Sequence, residues 1–288
     1  MGSENGVIET NTNGQGMFAY LENVESLDLT NLDTSNITNM SSMFQGSSKL
    51  KEIILTNFDT SNVTSMRSMF EGCKGLTSID VSSFDTSNVT DMQGMFEKCT
   101  SLTALDVSNF NTSNVKYMGD PESGMSHYYG MFEGCSSLTT LDLSTWDVSN
   151  VIVMRRMFYG CSSLTTLDVN NFNTSNVTYM GNSNTSMAFY EGVFDGCTSL
   201  TTLDLSTWDT ANVTVMRRMF YGCSSLKTIY VSNLWNTLKV TNADIMFTGC
   251  TSLEGGTGTQ YCSSYVDGTY ARIDGCTATP GYFTLKTV

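Results

Sequence analysis

A Met-Phe pair recurs along the chain at Met17-Phe18, Met43-Phe44, Met69-Phe70, Met95-Phe96, Met131-Phe132, Met157-Phe158, Met219-Phe220 and Met246-Phe247, with Val193-Phe194 as a variant. Most steps are 26 residues; two are 36 (95 to 131 and 157 to 193) and the last is 27. A fixed period of this size marks a repeat architecture, in which no unit buries its apolar face alone and stacking supplies the core. One unit, starting at residue 76, is LTSIDVSSFDTSNVTDMQGMFEKCTS.

Each part of the unit has a physical reading. LTSIDVS, LTALDVS and LTTLDLS carry the Leu-x-x-Leu-x-Leu spacing of a short parallel strand. Leu102, Leu105 and Val107 point inward while Ala104, Asp106 and Ser108 alternate outward. Phe110 and its equivalents follow, then a polar Asp-Thr-Ser-Asn corner whose side chains bond nearby backbone. Met92, Met95, Phe96 and Cys99 fall at i, i+3, i+4 and i+7, which predicts the inner face of a two-turn helix with Thr90 as its N-cap. Such a helix is too short to persist without stacking. The expected fold is α/β: a leucine-rich-repeat solenoid of stacked strand–corner–short-helix coils with a small β cap at the C-terminus.

The stretches FDTSNVTSMRSMFEGC and FDTSNVTDMQGMFEKC resemble the 26-residue surface-protein repeat of BspA-like leucine-rich repeat proteins. The resemblance spans about residues 17–253, and the ending TYARIDGCTATPGYFTLK is similar to the tails that close such arrays in Gram-positive gut bacteria. It implies an extracellular protein on the surface of a Gram-positive bacterium, adhesin-like in role. Departures are the two insertions and the coil 231–253, where VSNLWNTLKVTNAD replaces the usual corner.

Three regions are expected: a flexible N-terminal segment (1–16), the repeat array (17–253, with insertions near 119–128 and 181–190), and a β cap (254–288) with turns at Gly268, Gly275 and Pro280-Gly281. Met1-Gly2-Ser3 reads as an added start. A longer period overlies the first, because residues 105–166 and 167–228 agree at 45 of 62 positions. Eight of the 17 differences sit in the ten-residue inserted loop, 120–129 against 182–191, which marks the loops as the outward, variable part.

Charge and composition narrow the partners. A net charge of −14 repels phosphate backbones, so nucleic acid is excluded as a partner. No apolar run approaches the ~20 residues of a membrane span, so no membrane insertion is expected. With one histidine, His127, and no Cys-x-x-Cys, neither a metal site nor a catalytic constellation is found, and no cofactor is implied. GGTGT at 255–259 lacks the strand–turn–helix setting of a nucleotide loop.

Seven cysteines (73, 99, 135, 161, 197, 223 and 250) follow the Met-Phe pair by three residues and read as buried apolar thiols, with Ser47 in the same slot. Cys262 and Cys276 lie in the cap. A disulfide there would close about 15 residues and add ~3 kcal/mol, the alternative being two free thiols. Asn36, Asn62, Asn88, Asn176 and Asn212 begin Asn-x-Ser/Thr sequences and read as a ladder bonding the backbone of the corner.

Two surfaces are candidate binding sites. The inserted loops offer Met125, His127, Tyr128 and Tyr129, then Met187, Phe189 and Tyr190; Arg155-Arg156 and Arg217-Arg218 follow one coil later. Aromatics with arginine dominate interface hot spots, although the aromatics could equally fold back onto the coils. The outward strand position carries Asp28, Asp80, Asp106, Asp142, Asp168 and Asp204, interrupted by Ile54 and Tyr230. Stacked at ~5 Å, such carboxylates repel by roughly 0.8 kcal/mol per neighbour even in water. They form either a solvated polar face or a surface for a basic partner. The expectation is a monomeric, non-enzymatic cell-surface module whose partner is a surface protein of a host or neighbouring cell. The alternatives are a glycan partner, or a spacer stalk without ligand.

Overall fold

In the computed structural model of the chain, residues 8–121, 130–181 and 192–287 are described. Successive repeats lie in parallel register. A chain of parallel bridges links Asn13, Asn39, Ser65, Asp91, Tyr117, Val153, Tyr179, Val215 and Asn242, one residue per coil. The strand side is regular near the two ends. There β2 (Ser26–Asp28) pairs with β4 (Glu52–Ile54), and β5 (Thr202–Asp204), β6 (Thr228–Val231) and β7 (Phe283–Leu285) form a parallel three-stranded sheet. Between them the strand side is looser, held by the bridge Asp142↔Asp168 and by single bonds such as Thr165 N–H to Thr139 O at 3.2 Å.

The two-turn helix is not there. Among the described residues the chain contains no α-helix, only two 3₁₀ turns in the cap, so the helical part of the α/β expectation is corrected. In the Met-Phe segment the N–H groups alternate in direction. Met66, Ser68, Phe70 and Gly72 donate to Asp91, Gln93, Met95 and Glu97 of the next coil. Met69, Glu71 and Cys73 donate three residues back. Ser68 and Gly72 have φ of 54° and 71°, and the pattern recurs in other coils, which no right-handed helix tolerates. An α-helix would keep its hydrogen bonds inside the coil; this ribbon of tight turns sends half of them along the stack. Thr90 is not an N-cap either, since both its N–H and its hydroxyl donate to Thr64 O.

The burial pattern nevertheless follows the sequence spacing, because consecutive turns bring i, i+3, i+4 and i+7 to one side as a helix does. Met92, Met95, Phe96 and Cys99 are all buried. The phenylalanines form a column from Phe18 to Phe247, each ring stacked on the next at 5.2–5.9 Å between centroids. Each stacked pair adds about 0.5–1.5 kcal/mol beyond its buried area. Every repeat cysteine donates its S–H to the phenylalanine carbonyl one coil back, as Cys99 does to Phe70 O and Cys161 to Phe132 O; Ser47 makes the same bond to Phe18 O. At the corner, the amide of Asn88 donates to Ser61 O, that of Asn114 to Ser87 O and that of Asn150 to Ser113 O. Buried Thr60, Thr86 and Thr112 donate the other way, to Asp85 O, Asn111 O and Asp147 O.

The stack begins earlier than the expected loose segment 1–16 implies: β1 (Ile8–Glu9) pairs in parallel with β3 (Leu32–Asp33), and Gly14 N–H donates to Asn39 O. At the other end β7 continues the parallel sheet, and Tyr282 and Phe283 meet Phe247 edge-on. The expected Cys262–Cys276 cross-link is absent, both being free thiols. Asp274 ties this region instead, accepting from Thr257 N–H, Thr259 N–H and the Thr259 hydroxyl, and those bonds hold its carboxyl far below the usual range despite some burial.

Candidate functional site

The aspartate row is built by a local turn repeated from coil to coil. In each coil that carries the aspartate the chain turns at the end of its strand segment, and the aspartate Oδ1 accepts the N–H two residues on. Ser82, Ser108, Ser144, Asn170 and Ser206 donate to Asp80, Asp106, Asp142, Asp168 and Asp204 at 2.9–3.0 Å. The serine hydroxyl and N–H hold Asp80 and Asp106 below the usual carboxylate range, and the Ser144 N–H and hydroxyl do the same for Asp142. Asp80, Asp106 and Asp142 are thus anionic at neutral pH, and every aspartate of the row is fixed in orientation by its turn. That local bonding is what lets like charges share one face.

Where the strand side is loose, the face opens into a shallow groove of about 700 Å³. Asp142, Asp168 and Asp204 line it with the hydroxyls of Thr140, Thr166 and Thr202, over the edges of Leu141 and Leu167. The far end of the row holds a feature that sequence reasoning missed. Lys286, one residue past β7, reaches over the Tyr230 ring and places its Nζ on Asp204 Oδ2. Burial pushes Asp204 up, but the Lys286 ammonium and the Ser206 donors outweigh it and pull its carboxyl down. The cap breaks the repeat register, so no spacing in the sequence tied residue 286 to residue 204.

The arginine pairs are not an exposed basic surface. Arg155 and Arg156 are buried, and Arg217 and Arg218 nearly so. Arg155 donates from Nε to Gly181 O and lies 5.7 Å from the Tyr179 ring. Arg156 pairs with Glu133 and covers Tyr159; Arg218 pairs with Asp195 at 2.7 Å and covers Tyr221. Arg217 reaches Asp244 at 3.6 Å. The ion pairs join adjacent coils, and for Arg156 and Arg218 the residue after a column phenylalanine, Glu133 or Asp195, supplies the acid. That position forms a second acidic row, Glu71, Glu97 and Glu133, which the sequence reading passed over. Burial and the neighbouring Glu71 push Glu97 up to about 7; burial, with Glu97 beside it, raises Glu133 as well.

Both insertions enter the Met-Phe ribbon, away from the strand segment. Met131 N–H donates to Met118 O at 3.0 Å and Val193 N–H to Met180 O at 3.1 Å, the bond that Met95 makes to Met92 in an uninterrupted coil. Their roots are glycines because neighbouring backbone lies against them: a Cβ on Gly119 would fall 2.1 Å from Arg155 O. The loop candidates Met125, His127, Tyr128, Tyr129, Met187, Phe189 and Tyr190 lie outside the described residues. Among the described residues there is no group of three or more His, Cys, Asp or Glu placed to hold a metal ion, and no helix long and apolar enough to cross a membrane.

Stacked coils with leucine-rich strand segments are the architecture of leucine-rich repeat proteins, and a BspA type leucine rich repeat region is matched over residues 108–184. The chain belongs to the family described as Mycoplasma protein of unknown function, DUF285, which it matches over residues 12–129 and 182–269. No curated protein matches it. Among solved structures it is similar to a leucine-rich repeat protein from Bacteroides ovatus ATCC 8483, with 17% identity, 87% of this chain and 70% of that one covered, and a TM-score of 0.34. A leucine rich cell surface protein from Faecalibacterium prausnitzii A2-165 is 17% identical over 80% of this chain and 78% of that one, with a TM-score of 0.32. The TLR13–ssRNA13 complex matches at 18% identity over 88% of this chain and 34% of that one, with a TM-score of 0.34.

Proposed function

We propose that the chain is a non-enzymatic, adhesin-like module of a bacterial cell surface, a rigid solenoid that binds a protein partner through the aspartate-lined strand face and the two inserted loops. The observation that carries this reading is the open groove along Asp142, Asp168 and Asp204 on a stack whose corner asparagines, buried threonines and repeat cysteines bond coil to coil. Carboxylates fixed by their own turns on a rigid frame cost little to organise when a partner docks, and they steer a basic surface toward it. The inserted loops, with Met125, His127, Tyr128, Tyr129, Phe189 and Tyr190, supply aromatic anchors beside the same frame. Arg155, Arg156, Arg217 and Arg218 hold the coils at the loop roots and act on binding only through them.

The test is a paired screen of the purified protein against arrays of host-cell surface proteins and of glycans. A protein ligand that survives glycosidase treatment supports the reading. Binding confined to glycans overturns it in favour of a carbohydrate-binding module, and silence on both arrays in favour of a spacer stalk.

A further inference from the structure

Asp204 shows what an aspartate of the row does with a cation. Its Oδ1 is occupied by the Ser206 N–H, and its Oδ2 takes the Lys286 ammonium. In the three preceding coils Asp168, Asp142 and Asp106 hold the same turn, each with Oδ1 on the N–H two residues along, and all three are exposed. The groove beside Asp142 and Asp168 is lined by hydroxyls, carboxylates, one amide and leucine edges, with no basic residue. Lys286 is thus the chain's own sample of the contact, made where the array ends.

We propose that Asp106, Asp142 and Asp168 receive the lysine ammonium groups of an extended segment of another protein, laid along the strand face as Lys286 lies on Asp204. The inference rests on the interaction-module reading above and names the chemistry of its partner. Lysine is favoured over arginine for a geometric reason. A guanidinium gains most by gripping both oxygens of a carboxylate, but here Oδ1 is already engaged by backbone. A compact ammonium needs one oxygen only. Neighbouring aspartates of the row are ~4.8 Å apart, and the flexible lysine stem absorbs the mismatch with the spacing of side chains along an extended segment.

The test uses the full chain and two peptides of equal length and charge, one alternating Lys-Ser and one alternating Arg-Ser, titrated at physiological and at low salt. The Lys-Ser peptide is expected to bind the more tightly. Asp106→Asn, Asp142→Asn and Asp168→Asn combined should weaken it about tenfold. Asparagine keeps the turn, as Asn111 shows by accepting the Ser113 N–H. The control changes the same charge elsewhere: Asp59→Asn, Asp85→Asn and Asp147→Asn, on the corner, should leave affinity within about twofold. Lys286→Gln should strengthen binding by freeing Asp204. Equal or tighter binding of the Arg-Ser peptide, equal losses in the two triple variants, or no binding of Lys-Ser at low salt would each overturn the inference. None of these results touches the array screen, so the module reading stands or falls separately.

Discussion

Glu97 offers a sharp test of how the stack is held. Its side chain is 1% exposed, between Glu71 and Glu133 of the adjacent coils, with Lys98 on one oxygen; its Oε2 has no hydrogen-bond partner among the described residues. Of its neighbours, Glu133 pairs with Arg156 and Glu71 accepts from the Gln45 amide. Burial and Glu71 lift the Glu97 carboxyl from its usual 4.5 to about 7. The folded protein therefore keeps a proton that the unfolded chain gives up between those values, so this group's contribution is best below pH 4.5 and falls as pH rises to about 7. The rise corresponds to at most about 3 kcal/mol, spread over a row that titrates together. Glu97→Gln removes the charge at nearly constant volume. The new amide can donate to a neighbouring carboxylate, as Gln45 donates to Glu71 at 2.7 Å two coils earlier. The lost pair with half-exposed Lys98 costs at most about 1 kcal/mol. Urea midpoints at a series of pH values should coincide near pH 4.5 and diverge above it, with the variant the more stable by about 1–3 kcal/mol at pH 8. A variant that is less stable at pH 8, or a gap that does not change with pH, would show that Glu97 is ionised in the fold and held by cations.

Two further outcomes follow from the core. In native protein a thiol reagent should label Cys262 and Cys276 at once and leave the other seven until unfolding, since burial pushes Cys73, Cys161 and Cys250 up to about 12; early labelling of a repeat cysteine would displace it from the column. Phe132→Ala, stacked on both sides and fully buried, should cost about 3–5 kcal/mol, and Leu167→Ala at the groove wall about 2–3, read as shifts in the thermal melt; equal losses would mean that ring stacking adds nothing.

What the sequence made legible was burial; hydrogen-bond direction stayed hidden. Spacing alone placed Met92, Met95, Phe96 and Cys99 on one inner side, and Ser47 in the cysteine slot told that the position is structural. The same spacing misled on the backbone, because two consecutive turns and a two-turn helix share it. The signal that separates them was present: glycine at 46, 72, 134, 160, 196, 222 and 249, at one fixed place in the supposed helix. A glycine there costs about 1 kcal/mol per helix, whereas at positive φ it is the residue of choice. The aspartate row was visible as a row, but not as a series of turns that bond their own backbone. The arginines were misplaced because Arg156 and Arg218 find their acids 23 residues back, in Glu133 and Asp195, and no pattern within one unit carries that pairing.

The insertions show why this frame tolerates change where it does. In an uninterrupted coil Gln93 and Gly94 lie between Met92 and Met95, and Gly94 takes a φ of 60°. Excising 182–191 leaves Gly181 and Gly192 between Met180 and Val193, so the junction has two residues again, with a glycine where positive φ falls. The bond that closes the turn, Val193 N–H to Met180 O, exists before the excision. Column and ribbon on either side depend on Phe194 and Phe158, stacked at 5.7 Å, and neither is touched. Shortening the connection from about twelve residues to two lowers its closure entropy by roughly 1.5 kcal/mol at most, to be set against contacts the loop makes with the coils. The excised protein should therefore melt within a few degrees of the parent and keep its repeat cysteines protected. If it unfolds early, or if Cys197 labels in the native state, the insertion is part of the packing, and the two diverged loops of 105–166 and 167–228 owe their difference to the core rather than to a partner.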